Sequence, residues 1–204
     1  MVIKLKICGN ATISDILELD KLDVDYIGVI TDPISTRFVK TELLSIIKGR
    51  INKPIVSVKV NGNIIDLLKE LKNVDYLQIH RVLNDKELEI LKSYDTKRII
   101  FYVPASREYK GYFKKVVDFA DLVLIDSLIK GVSVDLEVVR ELFSEYPYLG
   151  VGGKINLDNI YQFITFNPKW IDISSSIEIY PGKKSLDKVK KLVEVVKRGS
   201  LSNK

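Results

Sequence analysis

The sequence predicts an α/β protein, a single-domain (β/α)8 barrel (TIM barrel) over residues 1–204, on three observations. Short runs rich in Val and Ile alternate with longer amphipathic stretches about eight times along the chain, which is the pattern of a parallel α/β fold. The short runs are apolar on nearly every residue, as strands covered on both faces must be. The turn after the first run reads Cys8-Gly9-Asn10-Ala11 and lacks the G-x-G-x-x-G that would favour an open, doubly wound sheet.

The strands are expected at 4–7, 26–30, 55–60, 76–80, 98–103, 122–126, 148–151 and 170–174. Between them, apolar residues recur at spacings of three and four, as in Ile64, Leu67, Leu68 and Leu71, or Leu186, Val189, Leu192, Val193 and Val196. Those spacings gather the apolar groups on one helix face. Thr12 or Ser14, Thr41, Asn63, Asn84, Asn156 and Ser185 stand where helix caps are needed. The last residues, 199–204, are expected to fray.

Composition narrows the function. No run of eighteen apolar residues appears, so no membrane-spanning helix is expected. The N-terminus has no signal-peptide pattern, and the only cysteine cannot form an internal disulfide, so a cytoplasmic setting is expected. The net charge of +5 comes from Lys mixed with Glu, without a basic block carrying aromatics. That argues against nucleic acid and for a mild attraction to small anions.

In such a barrel, chemistry sits at the C-terminal strand ends. Here those ends carry Cys8, a loop with Arg37, Asn61-Gly62, His80 (the only histidine), Asp126-Ser127, Gly152-Gly153 and Asp172 to Ser176. A lone cysteine is commonly a small buried hydrophobe. Polar groups at the same end of nearly every strand are harder to obtain by chance. The last two loops suit a phosphate, since Gly152 and Gly153 allow close backbone approach and Ser174 and Ser175 add donors.

At this point the chain resembles the phosphoribosylanthranilate isomerase family. The matching pieces are Lys6-Ile7-Cys8-Gly9, Gly28-Val29 with Ser35-Thr36-Arg37-Phe38-Val39, Val58-Lys59-Val60-Asn61 and Leu77-Gln78-Ile79-His80. They continue with Leu124-Ile125-Asp126, Gly150-Val151-Gly152-Gly153 with Asn156, and Asp172 to Glu178 followed by Pro181-Gly182-Lys183-Lys184. The resemblance implies an Amadori rearrangement of N-(5'-phosphoribosyl)anthranilate in tryptophan biosynthesis, without metal or cofactor. It makes Asp126 the general acid and Cys8 the general base, and gives Arg37 the anthranilate carboxylate. Asp172 then touches ribose hydroxyls or orders the site, His80 lines the mouth, and Gly152, Gly153, Ser174 and Ser175 hold the phosphate.

The chemistry requires Asp126 to stay partly protonated near neutrality and Cys8 to ionise more readily than a free thiol. Lys6 and Arg37 are the candidate sources of positive potential, with Lys6 equally placed to point outward. The resulting pH–rate profile is a bell, with the acid lost at high pH and the thiolate at low pH. The partner is a small anionic phosphosugar, and the protein works as a monomer or homodimer. Four departures from the family stand out: Arg81 and Ser176 where glycine is usual, a shorter loop after strand six, and no lysine on strand five. The altered loop and Arg81 support the alternative of a degenerate phosphate-binding barrel without catalysis, against which Cys8, Asp126 and Arg37 count. Another small phosphosugar isomerase or epimerase is a further alternative, against which the single histidine counts.

Overall fold

The computed structural model describes residues 2–129 and 131–202. Eight parallel strands close on themselves in sequence order, β1 Lys4–Ile7, β2 Tyr26–Ile30, β3 Ile55–Lys59, β4 Tyr76–Ile79, β5 Ile99–Pro104, β6 Leu122–Asp126, β7 Gly150–Val151 and β8 Trp170–Ile173. The last strand pairs with the first, from Lys4 opposite Trp170 to Ile7 opposite Ile173. Helices follow the strands: α1 Ile13–Asp20, α2 Thr41–Lys48, α3 Ile64–Leu68, α4 Asp85–Lys92, α5 Lys110–Val117, α6 Leu136–Glu145, α7 Ile160–Ile164 and α8 Leu186–Ser202. The expected barrel is therefore the observed one. The fraying expected over 199–204 falls in part on Asn203 and Lys204, which lie outside the described residues, while α8 is helical through Ser202.

Alternation along each strand sorts the core into two shells. Leu5, Ile7, Val123, Ile125, Ile171 and Ile173 pack outward against the helices. Val56, Val58, Ile100, Leu122, Leu124 and Trp170 fill the barrel, and Cys8 belongs to this inner group. Both faces are covered, which is why the strands read as continuous apolar runs.

Local chemistry sets the element ends. Thr12 caps α1 by accepting from Asp15 N–H, Asn63 caps α3, and Asn84 forms a reciprocal capping box with Glu87 on α4. Two expected caps are displaced. Helix α2 begins on Thr41 itself, with Lys40 in the capping place. Asn156 closes the turn ahead of α7, accepting from the amides of Asp158 and Asn159 at 2.8 and 3.1 Å. Strand β3 stops at Lys59, because the next two amides, Val60 and Asn61, donate to the Asp32 carboxylate instead of a ladder carbonyl. A two-strand hairpin, β9 Glu178–Tyr180 and β10 Lys183–Lys184, follows β8 and was not legible in the sequence.

Candidate active site

Cys8 continues β1 into the barrel mouth, its amide donating to Ile173 O at 2.8 Å. It is buried. A side chain on the facing β2 residue would collide with it: a Cβ on Gly28 would stand 2.9 Å from Sγ. Asn10 fixes this contact by donating its side-chain amide to Ile7 O and Gly28 O at 2.8 and 2.9 Å.

Asp126 ends β6, with β7 and β8 between it and β1 on the shorter arc. Its Oδ1 accepts from Ser127 N–H at 2.6 Å. Its Oδ2 faces Gly152, where a Cβ would stand 2.7 Å away. The thiol is thus seated against a glycine of the adjoining strand β2, and the carboxyl against the glycine that follows β7. No helix starts at Ser127; α6 begins at Leu136 and is capped by Asp135. The short bond to Ser127 is therefore local and not a helix cap.

Lys6 points inward, not outward. It is fully buried, and its Nζ donates to Asp172 Oδ2 at 2.7 Å. Burial works against its charge, but the neighbouring Asp172 carboxylate wins, and the ammonium is held above its ordinary value. The other oxygen of Asp172, Oδ1, is buried without a hydrogen-bond partner.

These neighbours set the protonation of Asp126 and Cys8. Burial, with the charge of Asp172 added, lifts the Asp126 carboxyl to about 7 against the opposing hydrogen bonds from Ser127. That is the partly protonated acid the sequence called for. The thiol behaves otherwise. Burial raises Cys8 above its ordinary value, and the attraction of Lys6 is partly cancelled by Asp172. The expectation of a more readily ionised thiol is corrected accordingly, because burial outweighs the attraction of Lys6, which is itself paired with Asp172.

Arg37 rides on the loop after β2, which Asp32 ties to the end of β3. Its guanidinium is engaged by Glu178, Nε to Oε1 at 2.7 Å and Nη2 to Oε2 at 2.6 Å. A Cβ on Gly9 would stand 2.7 Å from Arg37 Cδ, so the arginine lies directly over the residue after Cys8. Burial opposes the charge on Glu178, yet the hydrogen bonds from Arg37 and Lys184 outweigh it and hold its carboxyl low.

His80 follows β4, its ring tilted against Tyr102 at 4.4 Å and its Nδ1 at 3.0 Å from Gln78 Nε2. Tyr102 occupies β5, where the family's lysine is absent, and donates to Ser127 O at 2.9 Å, bracing the residue after Asp126. The loops after β7 and β8 lie side by side, joined by Ser176 Oγ donating to Ile155 O at 2.6 Å. Gly153 sits in the loop after β7 at φ 102°, beside Gly152, and Ser174 and Ser175 lie in the loop after β8. The amide of Gly152 itself donates to Ile125 O at 2.8 Å, so it serves the barrel ladder. Arg81 turns away to a bidentate pair with Glu87, at 2.8 and 2.6 Å.

A cavity of about 540 Å³ near α2, lined by Thr31, Phe38, Lys40 and Lys59 among others, contains none of the expected site residues. Among the described residues, no three His, Cys, Asp or Glu side chains converge as a metal site. No helix among them is long and apolar enough to cross a membrane. Sequence reading assigned no role to Glu178, Lys184, Asn10 or Tyr102. Glu178 and Lys184 lay within a family-like stretch, which was their only signal.

A closed eight-stranded barrel with a carboxyl, a thiol and buried cations at the C-terminal ends of its strands has the architecture of the (β/α)8 barrel enzymes. The family model for N-(5'phosphoribosyl)anthranilate (PRA) isomerase matches residues 5–195. The chain belongs to that family. It is 63% identical over 204 residues, the whole of both chains, to the N-(5'-phosphoribosyl)anthranilate isomerase of Saccharolobus solfataricus. The phosphoribosyl anthranilate isomerase of Thermus thermophilus has the same fold, with TM-score 0.79, 19% identity, and 98% and 99% of the two chains covered. Another such isomerase, solved with reduced 1-(o-carboxyphenylamino)-1-deoxyribulose 5-phosphate, gives TM-score 0.78 at 21% identity, over 96% and 99% of the chains.

Proposed function

We propose that this chain converts N-(5'-phosphoribosyl)anthranilate to 1-(2-carboxyphenylamino)-1-deoxyribulose 5-phosphate, an aldose–ketose isomerisation of tryptophan biosynthesis. The observation that carries the reading is the pair of groups at one barrel mouth: a carboxyl poised near neutrality, Asp126, and a thiol, Cys8, each seated against a glycine.

Asp126 gives its proton to the ribose ring oxygen, the ring C–O bond breaks, and the aminosugar opens to an iminium. Cys8, as thiolate, takes the proton from C2, and the electron pair moves to neutralise the iminium. The resulting enolamine loses its C2 hydroxyl proton and gains one at C1, giving the ketone. Proximity and acid–base assistance of this kind commonly contribute about 10²–10⁴ from each group. Arg37 receives the anthranilate carboxylate, for which a planar fork is suited. Gly153, Ser174 and Ser175 hold the phosphate, with Gly152 keeping the Asp126 side of that loop open. Asp172 orders Lys6 and offers its unpartnered Oδ1 to a ribose hydroxyl. His80 lines the mouth.

The working unit is the one barrel of residues 1–204, as monomer or homodimer. A reducing cytoplasm suits a base that must remain a thiol. The test is turnover with freshly made N-(5'-phosphoribosyl)anthranilate, followed by loss of its anthranilate-type fluorescence. Binding of the reduced product analogue without turnover would instead mark a barrel that has kept its ligand and lost its chemistry.

A further inference from the structure

The carboxylate of Glu178 engages Arg37 across 141 residues of sequence. It takes both donors on one edge of the guanidinium, Nε and Nη2. Its Oε1 accepts further bonds from Lys184 Nζ at 2.9 Å and Gly182 N–H at 3.0 Å. The three charged side chains are nearly withdrawn from water, at 11% exposure for Arg37, 5% for Glu178 and 0% for Lys184. Two cations thus share one anion in a buried place. Stability alone does not call for this, since well-packed apolar groups commonly do as well in such positions.

What the arrangement supplies is orientation. A guanidinium is a rigid fork that can take a carboxylate on its Nε side or on its Nη1/Nη2 end. Glu178 fills the first and leaves the second as the edge on which another carboxylate can be received. The base of the clamp is itself fixed. Glu178 and Lys184 are cross-strand partners in the β9–β10 hairpin. The hairpin is tied to the first βα unit by Ala11 N–H to Gly182 O at 3.1 Å and Lys184 N–H to Asp15 Oδ2 at 2.8 Å, with Lys183 paired to the same aspartate. The first βα loop and the clamp on Arg37 are therefore tied to each other directly.

Resting on the reading in which Arg37 receives the anthranilate carboxylate, we infer that Glu178 is a positioning residue for substrate recognition. It locks one edge of Arg37 so that the other is presented to the carboxylate, and Lys184 braces it from behind. Its loss weakens recognition of that carboxylate specifically, leaving the phosphosugar end of the ligand alone.

Two stable ligands read this out: reduced 1-(o-carboxyphenylamino)-1-deoxyribulose 5-phosphate, and the same compound without its carboxyl. Their ratio of Kd in the parent protein measures the grip of Arg37. In Glu178→Gln the ratio is expected to fall on the order of tenfold, the scale of one charge-assisted contact. The affinity for the ligand without a carboxyl stays within a few-fold, and in turnover KM rises by more than kcat falls. Because Gln leaves two buried cations facing each other, the double variant Glu178→Gln, Lys184→Met is measured beside it, with the same fall in ratio expected. An unchanged ratio in the variants overturns the inference, as does an equal loss of affinity for both ligands, which marks a purely structural brace. A parent protein that ignores the carboxyl overturns the assignment of Arg37, and the inference with it.

Discussion

Lys6 and Asp172 form a buried ion pair inside the barrel, Nζ to Oδ2 at 2.7 Å, with side-chain exposures of 0% and 7%. The pair joins β1 to β8, and its charges act on both Cys8 and Asp126. Asp172 cancels part of the charge that Lys6 lends to Cys8, and it helps to keep Asp126 protonated. Removing one partner strands the other. Lys6→Met is expected to lower stability by about 3–5 kcal/mol, the usual cost of an orphaned buried charge. Combining it with Asp172→Leu is expected to restore much of that loss. Thermal melts of the two variants decide the matter; a single variant as stable as the parent protein would show that water already reaches the pair.

The pH profile follows from the two perturbed groups. Asp126 titrates near 7 and Cys8 above its ordinary range. The reactive combination, acid protonated and thiol ionised, is one of two singly protonated states, and the minor one. Its share is constant between the two titrations. Below about 7 the doubly protonated form replaces it, and at high pH the fully ionised form does. The kcat/KM curve should therefore rise with a midpoint near 7 and decline only in the alkaline range. This reverses the assignment of limbs expected from sequence, where the thiolate was to be lost on the acid side. An activity maximum well below pH 7 would contradict it.

Cys8→Ser is expected to reduce turnover on the order of a hundredfold or more, because a serine hydroxyl is a far poorer base, while the melting curve hardly changes. Gly28→Ala tests the same group from outside. The new methyl would press on Sγ at 2.9 Å and on the Cys8 backbone at 3.0 Å. Misplacing the base in this way should cost turnover by about the same order. Serine and alanine variants that both turn over normally would remove Cys8 from the mechanism.

Asp126→Asn retains the shape of the acid and loses its transferable proton. Turnover should nearly vanish, with the reduced product analogue still bound within a few-fold of its parent affinity. Gly152→Ala should behave alike, since its Cβ would stand 2.7 Å from Oδ2. Substantial activity in the Asn variant would return Asp126 to a structural part.

The barrel was legible because its signals are local. Continuous apolar runs mark strands covered on both faces, and the run of strand ends gathers Cys8, Arg37, His80, Asp126, Gly152 and Asp172 at one mouth. What escaped is made by pairings with no local pattern. The inward turn of Lys6 depends on Asp172, 166 residues away. The clamp on Arg37 depends on a hairpin too short to announce itself by alternation. Thr41 looked like a cap because its residue type suits one, yet its hydroxyl points to Glu70, at 3.4 Å. The raised thiol could not be read either, because it results from burial and from a cation already spoken for.

The closure of β8 onto β1 divides the site between two halves of the polypeptide. Cys8, Arg37 and His80 lie on β1 through β4 and their loops, while Asp126, the phosphate loops, Asp172 and Glu178 lie on β5 through β10. As the chain leaves the ribosome, Lys6, Cys8 and Arg37 are made first, and Asp172 and Glu178, the carboxylates that pair with Lys6 and Arg37, are made late. A chain interrupted before β8 carries an interior lysine with no counter-ion, and so cannot settle into a compact state that resembles the finished enzyme. A check on synthesis is in this way built into the barrel: only a copy translated through β8 can pair Lys6 with its counter-ion.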